Sequence, residues 1–308
     1  MPKRYRDLNT YLREKFGCRV QKIAVDAGLS CPNRDGTAAA GGCLYCNARG
    51  SGSGAHARGM TITDQLNHGI PILTRRYKAS KFVAYFQSYS NTYAPAATLK
   101  ALYDEALAFE EVVGLSIGTR PDCITRGVLD LLQGYTRSHM VWVEYGLQSA
   151  SDATLRLLNR GHDVACFTRA VEATRGRGIS ICAHVILGLP GESRSDMLAT
   201  ADYIGRLGID GVKLHLLYVV RGTGLERLYN QGRYRCLGQQ EYAGLVCDFL
   251  ERLPADMVIQ RLHSDPHPDE LVAPGWALDK NEIRKIILRM LAERDSWQGK
   301  RADGVAQG

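Results

Sequence analysis

The sequence has no long uninterrupted apolar run, which is what a membrane-spanning helix requires. Such a helix needs about 18 to 20 consecutive apolar residues, and no stretch of the 308 residues approaches that length. The first residues, MPKRYRDLNTYLREKF, also lack the apolar centre of a secretory signal. We therefore expect a cytoplasmic protein that does not associate with a membrane.

The cysteines lack the even number and the spacing of a disulfide framework. There are nine, and only three are clustered. Thiols stay reduced in the cytoplasm, so we expect no disulfides and a metal-binding role for the clustered thiolates. The single cysteines lie mostly in apolar stretches, which is typical of buried and unreactive thiols: Cys18, Cys123, Cys166, Cys182, Cys236 and Cys247.

Acidic residues are scarce in the first 80 residues, which carry 13 Lys and Arg against 5 Asp and Glu. The whole chain has a formal net charge of +7, so the remainder is close to neutral. A basic region suits RNA, or an acidic electron donor such as flavodoxin or ferredoxin; a solubilising surface is the alternative. If RNA binds, we expect its phosphates to contact basic residues near the mouth of the fold: Arg4, Arg6, Arg49, Arg58, Arg75 and Arg76.

Short β-rich runs alternate with helical patterns over most of the chain. The runs are residues 21–28, 81–86, 112–118, 140–146, 179–188 and 211–220, with helical patterns at 61–78, 95–109, 126–137, 152–176 and 193–207. Such β-then-α units predict parallel strands with helical crossovers. Six units are too few for a closed eight-stranded barrel. We predict an α/β fold, a partial (β/α)6 barrel with its site in the loops after the strands.

The alternation stops near residue 222. Residues 1–222 are predicted to form the partial barrel, and residues 223–297 a small α+β cap with helices at 224–231, 239–253 and 279–295 and a short strand at 257–262. The last residues, 298–308, are polar and small and predict a disordered tail.

Three cysteines, Cys31-x11-Cys43-x2-Cys46, follow the first strand in a loop rich in Gly, Asn and Pro. Structural zinc wants four ligands, usually in two pairs, although His56 is available as a fourth. Three thiolates on a [4Fe-4S] cluster leave one iron open, as cleavage of S-adenosylmethionine (SAM) requires. The number and spacing of these cysteines favour a [4Fe-4S] cluster. A structural zinc site and inert cysteines are the alternatives. Residues 49–54, RGSGSG, follow as a flexible loop or a cover for the cofactors.

Several short motifs lie in order at the ends of the predicted strands. They are Cys43-Leu-Tyr-Cys46, Phe86-Gln-Ser-Tyr-Ser-Asn-Thr-Tyr-Ala-Pro95, Thr119-Arg-Pro-Asp122, Gly146-Leu-Gln-Ser149, Gly188-Leu-Pro-Gly191 and Arg221-Gly-Thr-Gly-Leu225. With them the chain resembles the Elongator-type radical SAM proteins, and most closely the bacterial YhcC/YtqA family. The resemblance implies a radical SAM barrel, a [4Fe-4S] cluster held by the three cysteines, and SAM as cofactor.

The resemblance also implies roles for individual residues. The segment from Gln87 and Ser88 to Asn91 lies where relatives contact the methionyl amino group through backbone carbonyls. Gln148 and Arg160 lie where relatives bind ribose and carboxylate, and Gly188 where the backbone approaches adenine. His184 stands in the place of a ribose-binding acid, with a core histidine as the alternative. Lys213 matches a family lysine, and its two-residue spacing puts His215 on the same strand face.

The C-terminal segment holds one further candidate residue, and two features of the chain depart from the family pattern. Trp276, near His263 and between Pro and Gly residues, predicts either base stacking or packing of the cap. Gly118 replaces a family Glu, and no acetyltransferase domain is present in the 308 residues. The leading hypothesis is modification of tRNA, with the wobble uridine side chain as a candidate. The alternatives are a radical SAM oxidoreductase acting on a small metabolite or protein, and a non-enzymatic iron-sulfur scaffold.

Overall fold

A seven-stranded parallel sheet forms the centre of the computed structural model, which describes residues 3–47, 50 and 52–302. The chain order of the strands is β1 (Val20–Val25), β2 (Lys81–Phe86), β3 (Val112–Thr119), β4 (Met140–Gln148), β5 (Ser180–Leu187), β6 (Gly211–Leu216), β7 (Val219–Val220), β8 (Val258–Arg261) and β9 (Leu271–Ala273). The main sheet has the order β1-β2-β3-β4-β5-β6-β8, and β7 pairs antiparallel with β9.

Helices connect the strands and cover the outer face of the sheet. They are α1 (Leu8–Phe16), α2 (Ile62–Tyr77), α3 (Ala96–Leu107), α4 (Arg126–Tyr135), α5 (Asp152–Leu157), α6 (Val164–Thr174), α7 (Arg194–Arg206), α8 (Gly224–Asn230), α9 (Gln239–Arg252) and α10 (Lys280–Glu293). Most begin at a side-chain cap, such as Thr61 before α2 or Ser193 before α7. Their apolar faces and the outward side chains of the strands form the largest core cluster.

The sheet curls into a half-barrel, because side chains from its two edge strands meet in the interior. Lys22 of β1 donates a hydrogen bond from Nζ to Oε1 of Gln260 in β8, at 2.6 Å. A backbone bridge between Asp7 and Ile259 also joins the N-terminal segment to β8. The interior therefore forms a lumen, which opens at the end of the half-barrel where the strands finish.

Helix α1 closes the other end of the lumen, where the strands begin. Leu12 is buried in a small apolar cluster with the first residues of several strands, and Tyr11 packs edge-on against Trp142 at 5.7 Å between ring centroids. The opposite end, which carries the loops after the strands, is therefore the mouth of the half-barrel.

The α/β half-barrel agrees with the fold class predicted from the sequence. It differs from the prediction in having a seventh strand and in the division of one predicted helix into two. The short strand predicted at 257–262 does not stay within a cap, since β8 pairs parallel with β6 as the seventh strand. The helical pattern at 152–176 is divided into α5 and α6 at Asn159, whose φ of 53° is left-handed. A continuous α-helix cannot pass through that conformation.

The predicted disordered tail begins too early. Gln298 is buried and donates from Nε2 to the carbonyl oxygens of Pro254, at 2.6 Å, and Met257, at 2.8 Å. Residues 298–302 therefore pack on the fold, and 303–308 lie outside the described residues. No helix in the described parts of the chain is long and apolar enough to span a membrane.

Candidate active site

The cysteine loop, residues 31–46, is fixed to the turn between α5 and α6. Asn159 donates from Nδ2 to the carbonyl oxygens of Ala40 and Gly42, each at 2.9 Å. Its own carbonyl oxygen accepts a hydrogen bond from Asn33 Nδ2 at 2.5 Å. The left-handed turn at Asn159 thus places Arg160, the next residue, directly against the loop.

The three predicted cluster cysteines lie at the mouth of the half-barrel. Cys31 and Cys43 are buried and Cys46 is partly exposed. Burial raises the pKa of Cys46 to about 11, and the thiols of Cys43 and Cys31 add to that shift, so the three are electrostatic neighbours. No three His, Cys, Asp or Glu side chains among residues 3–47, 50 and 52–302 converge as they would on a single metal ion.

Nitrogen donors surround the sulfur atoms. Arg160 Nη1 lies 3.4 Å from Cys43 Sγ, Asn33 Nδ2 lies 3.5 Å from the same sulfur, and Arg34 Nη1 lies 3.9 Å from Cys46 Sγ. Hydrogen bonds to ligating sulfur stabilise thiolates and tune a bound cluster. The surroundings of the three thiols therefore fit an iron-sulfur cluster.

Arg160 joins the cysteine loop to the end of β4. Its Nη2 donates to the carbonyl oxygen of Gly146 at 3.0 Å, while its Nε is buried without a hydrogen-bond partner within the described residues. Burial alone would lower the pKa of Arg160. The interactions of its guanidinium with Tyr45 and Cys43 raise the pKa by more than burial lowers it, so the group stays protonated. A buried, charged group with a spare donor fits a carboxylate such as that of SAM.

Gln148, another predicted SAM contact, lies with Arg160 above Gly146 at the end of β4, a level that we call the mouth layer. Gln148 ends β4 with a left-handed φ of 74°, and a methyl group built on Gly146 would lie 2.6 Å from its Nε2. Ser88 is buried after β2, and its Oγ has no hydrogen-bond partner in the described parts of the chain. Gln87 precedes it, with its backbone N–H 3.4 Å from the carbonyl oxygen of Val25.

Gly188 lies at the end of β5 with its polar backbone atoms engaged by protein. Its N–H donates to Met197 Sδ at 3.1 Å, and its carbonyl oxygen accepts from Tyr234 Oη at 2.9 Å. Its φ of 87° is one that glycine adopts freely. An adenine contact through Gly188 itself would compete with these two bonds.

His184 and Lys213 belong to a polar network inside the lumen that is centred on Glu144, a residue outside the sequence motifs. Glu144 of β4 is fully buried and accepts from Lys22 Nζ at 2.5 Å and from His184 Nε2 at 2.8 Å. Lys213 Nζ and Ser116 Oγ also donate to it. The His215 ring lies 5.1 Å from the His184 ring. The structure therefore divides the predicted SAM residues between the mouth layer and this lumen network.

The network sets the charges of its members. Burial alone would raise the pKa of Glu144, but Lys213 and Lys22 hold it well below its ordinary value. Burial lowers the pKa of His184 to about 4 despite its hydrogen bond to Glu144, so the imidazole is neutral. Burial also lowers the pKa of Lys213, against the attraction of Glu144. A buried carboxylate is thus held between two lysines.

The signal for Glu144 was present in the sequence. Glu144 interrupts the apolar run MVWVEYG, and Lys22 interrupts QKIAV. A charged residue in a strand buried on both faces calls for a partner of opposite charge. The sequence places these two residues 122 positions apart, so only the curl of the sheet identifies them as partners.

The basic residues of the first 80 do not gather at the mouth. Arg4 pairs with Asp295 at 3.1 Å and Arg6 with Glu14 at 3.0 Å, beside α1. Arg75 and Arg76 end α2, which runs from the mouth back to the start of β2. Their predicted position near the mouth is wrong, because a crossover helix runs opposite to its strands. Arg58 lies before α2, on the mouth side, and Arg49 lies outside the described residues.

Trp276 is held in a packed arrangement. Its ring centroid lies 5.8 Å from those of both Tyr242 and His263, and its Nε1 donates to the carbonyl oxygen of Leu237 at 3.3 Å. These contacts favour the packing role over base stacking. His56, the candidate fourth zinc ligand, is exposed, with its ring against Gly28.

Comparison with known proteins identifies the family. Residues 35–204 match the Radical SAM superfamily, and residues 209–293 match the Radical SAM C-terminal domain. The chain is 41% identical to Bacillus subtilis YtqA, with 97% of this chain and 92% of YtqA covered. It is 37% identical to Escherichia coli YhcC, with 86% and 85% covered.

Elongator proteins are more distant relatives. Schizosaccharomyces pombe Elongator complex protein 3 is 28% identical, over 74% of this chain and 43% of that protein. The solved structure of Methanocaldococcus infernus Elp3 covers 91% of this chain and 64% of that chain, with a TM-score of 0.71 at 16% identity, and so shares the fold. Radical SAM enzymes use a [4Fe-4S] cluster and SAM, and they need an electron donor. The chain belongs to the radical SAM superfamily and is an Elongator-like enzyme related to YtqA and YhcC.

Proposed function

We propose that Cys31, Cys43 and Cys46 hold the cluster, that Ser88, Gln148 and Arg160 bind SAM, and that the enzyme modifies tRNA. The observation that supports this most strongly is the position of Arg160, whose guanidinium touches both a cluster cysteine and the end of β4. In this site the cluster and SAM would supply radical chemistry, in which a hydrogen atom is removed from a substrate. The role of the chain is to fix Arg160, orient SAM and shield the site from water.

The cysteine assignment predicts the iron content of variants. Anaerobically reconstituted protein should bind about four irons, and Cys31→Ala, Cys43→Ala or Cys46→Ala should each abolish the iron-sulfur absorption, because three thiolates are needed to hold the cluster. Cys166→Ala is the matched control, since Cys166 lies in α6 away from the loop. Tight zinc binding without iron-sulfur absorption would contradict the assignment.

The tRNA proposal rests on kinship with the Elongator-type proteins and on exposed arginines at the mouth. Arg58 lies between the cysteine loop and α2, and Arg221 follows β7. Both are exposed. Phosphate contacts at the rim would position a long polyanion while one nucleoside reaches the lumen. The wobble uridine side chain is the candidate position.

The structure allows the tRNA prediction to be tested with two matched pairs of arginines. Arg58→Gln with Arg221→Gln should weaken tRNA binding and reduce the salt slope of log affinity by about one to two. Arg75→Gln with Arg76→Gln removes the same charge at the closed end and should leave both unchanged. Equal effects of the two pairs would indicate only nonspecific charge.

Nucleoside analysis then separates tRNA from other substrates. Mass spectrometry of tRNA from a strain that lacks the enzyme should show a changed uridine derivative. An unchanged profile, with no tRNA binding at low salt, would favour a radical SAM oxidoreductase that acts on a small metabolite or a protein. Absence of SAM cleavage by the reduced enzyme would favour the iron-sulfur scaffold.

A further inference from the structure

Arg261 brings a third positive charge to the lumen network. It ends β8, and its Cα pairs with that of Lys213 across a register shift at Val212 and Lys213. Regular strands alternate their side chains between two faces, but here Gln260 and Arg261 both act on the lumen. Gln260 bonds to Lys22, and the charge of Arg261 lowers the pKa of His184 and of Lys213.

The positive charges of this network exceed the negative one even without Lys213, whose pKa burial lowers to about 7. Lys22, Lys213 and Arg261 face one carboxylate, Glu144, whose two oxygens already accept from both lysines. The side chain of Arg261 forms no hydrogen bond or ion pair with any residue of 3–47, 50 and 52–302, although it is only partly exposed. A guanidinium in such a position calls for an anion.

Two carboxylates that follow β8 in the chain are already engaged by other residues. Asp265 and Glu270 act on the neighbouring Tyr218, whose pKa is raised chiefly by burial. Asp265 accepts from Lys280 Nζ at 2.9 Å, and Glu270 accepts from Asn47 Nδ2 at 2.8 Å. The charge of Arg261 is therefore not balanced by either of them.

His215 adds an unused polar group beside Arg261. Its Nε2 is buried without a hydrogen-bond partner in the described parts of the chain. Burial, together with His184 and Arg261, holds its pKa well below the ordinary value, so the ring is neutral. A neutral imidazole can donate one hydrogen bond to an anionic oxygen.

The lumen continues directly into the mouth layer. His184 lies opposite Gly146 in the register of β4 and β5, and Lys213 lies opposite His184 in β6. A methyl group on Gly146 would lie 2.4 Å from Arg160 Nη2. Glu144 lies one level of side chains below Gly146, roughly 7 Å along β4, so the lumen network lies directly beneath the mouth layer.

We propose that Arg261 and His215 form a binding site for an anionic oxygen group, a carboxylate or a phosphate, on the molecule that the enzyme modifies. Lys213 adds positive charge, and Glu144 fixes its position. The carboxylate of SAM has its own partner in Arg160, in the mouth layer above. The inference rests on the proposed function in taking the mouth of the half-barrel as the site of the reaction and in assigning the SAM carboxylate to Arg160.

Small anions test the site whatever the identity of the substrate. Acetate and inorganic phosphate are titrated into the reconstituted holoenzyme while the histidine side chains are observed by NMR; the chain has eight histidines, and His215→Gln identifies the signal of His215. We expect saturable shifts of His215, and at least a tenfold weaker affinity in Arg261→Gln, because a charged hydrogen bond is lost. Preference for acetate or for phosphate identifies the kind of group.

Two further variants make the result decisive. Arg284→Gln removes an exposed charge on α10 and should bind the anions as the parent does. Arg261→Lys keeps the charge and should bind with intermediate affinity, which separates loss of the site from loss of the fold. Unchanged anion binding in Arg261→Gln, or weakened SAM binding instead, would overturn the proposal. Anion binding by an enzyme that does not bind tRNA would support the lumen site while removing RNA as the substrate.

Discussion

At the scale of single residues, Gly146 controls how closely the lumen and the mouth layer approach each other. It sits in β4 beneath Arg160 and Gln148, and a side chain there would occupy the space of both polar groups. The atoms that it would touch are the ends of flexible side chains, so the fold can accommodate a methyl group. The cost should therefore appear in cofactor binding rather than in stability.

We accordingly expect Gly146→Ala to weaken SAM binding about tenfold or more, because it displaces the guanidinium of Arg160 from its contact with Cys43. Gly127→Ala is the matched control, since a methyl group at that position in α4 touches nothing within 4 Å. Calorimetry with SAM on both holoenzymes measures the difference. Equal SAM affinities would show that Arg160 does not contact SAM.

Single residues were the hardest part of the site to predict from the sequence. The three cysteines, Gln148 and Arg160 were selected by spacing and by resemblance, and their roles remain predictions. Glu144, Lys22 and Arg261 were missed, because each lies alone in a strand and becomes informative only when distant strands face one lumen. His184 and Lys213 were selected, but their hydrogen bonds to Glu144 place them below the mouth layer.

At the scale of elements, local patterns predicted the strands well and their assembly less well. The run 81–86 became β2 with the same bounds, because a short apolar run rich in aromatic residues favours a buried strand. The strand at 257–262 was predicted, but its place beside β6 was not. Nothing local distinguishes a cap strand from a seventh barrel strand, since the pairing depends on α9, which precedes β8, returning the chain to the sheet.

The division of α5 from α6 shows how an element boundary carries function. The helical pattern runs on through residues 152–176, and only the polar run Asn159-Arg160-Gly161 breaks it. That break bonds the cysteine loop and points Arg160 at Cys43. Loop positions that depart from regular geometry are often those that position a site.

At the scale of the whole molecule, the end of the half-barrel at which a charged residue lies depends on the direction of its helix or strand, and not on its place in the sequence. The basic N-terminal quarter is divided between the two ends of the half-barrel, because α2 carries Arg75 and Arg76 away from the cysteine loop. A net charge computed over a sequence window therefore predicted a basic surface, but it did not predict which end of the fold carries it.

Buried histidines make the whole fold sensitive to acid. Burial is the main cause that lowers the pKa of His162 to about 3 and those of His184 and His263 to about 4. Below pH 6.5 these histidines bind protons in the unfolded chain, whereas in the folded chain they remain neutral down to about pH 4. The free energy of unfolding should therefore fall with decreasing pH in this window, by about 1.4 kcal/mol per pH unit for each histidine.

Urea unfolding of the holoenzyme between pH 7 and pH 5 tests this prediction. His263→Gln should flatten the dependence by about one proton, because His263 is buried with both ring nitrogens lacking partners within the described residues. His68→Gln, at an exposed position, is the control and should leave the slope unchanged. If the His263→Gln variant kept the slope of the parent, the pKa of His263 would not be lowered in the folded chain.

The contact between the first and last described segments has a practical consequence for engineering. Gln298 N–H donates to the carbonyl oxygen of Arg4 at 2.9 Å, and the N–H of Arg6 donates to Gln298 Oε1 at 2.9 Å. A short peptide could therefore join residue 302 to residue 3, and new ends could be opened in a surface loop. Such a permuted enzyme, or one immobilised through this end, would keep its mouth turned toward solution and free for a large substrate.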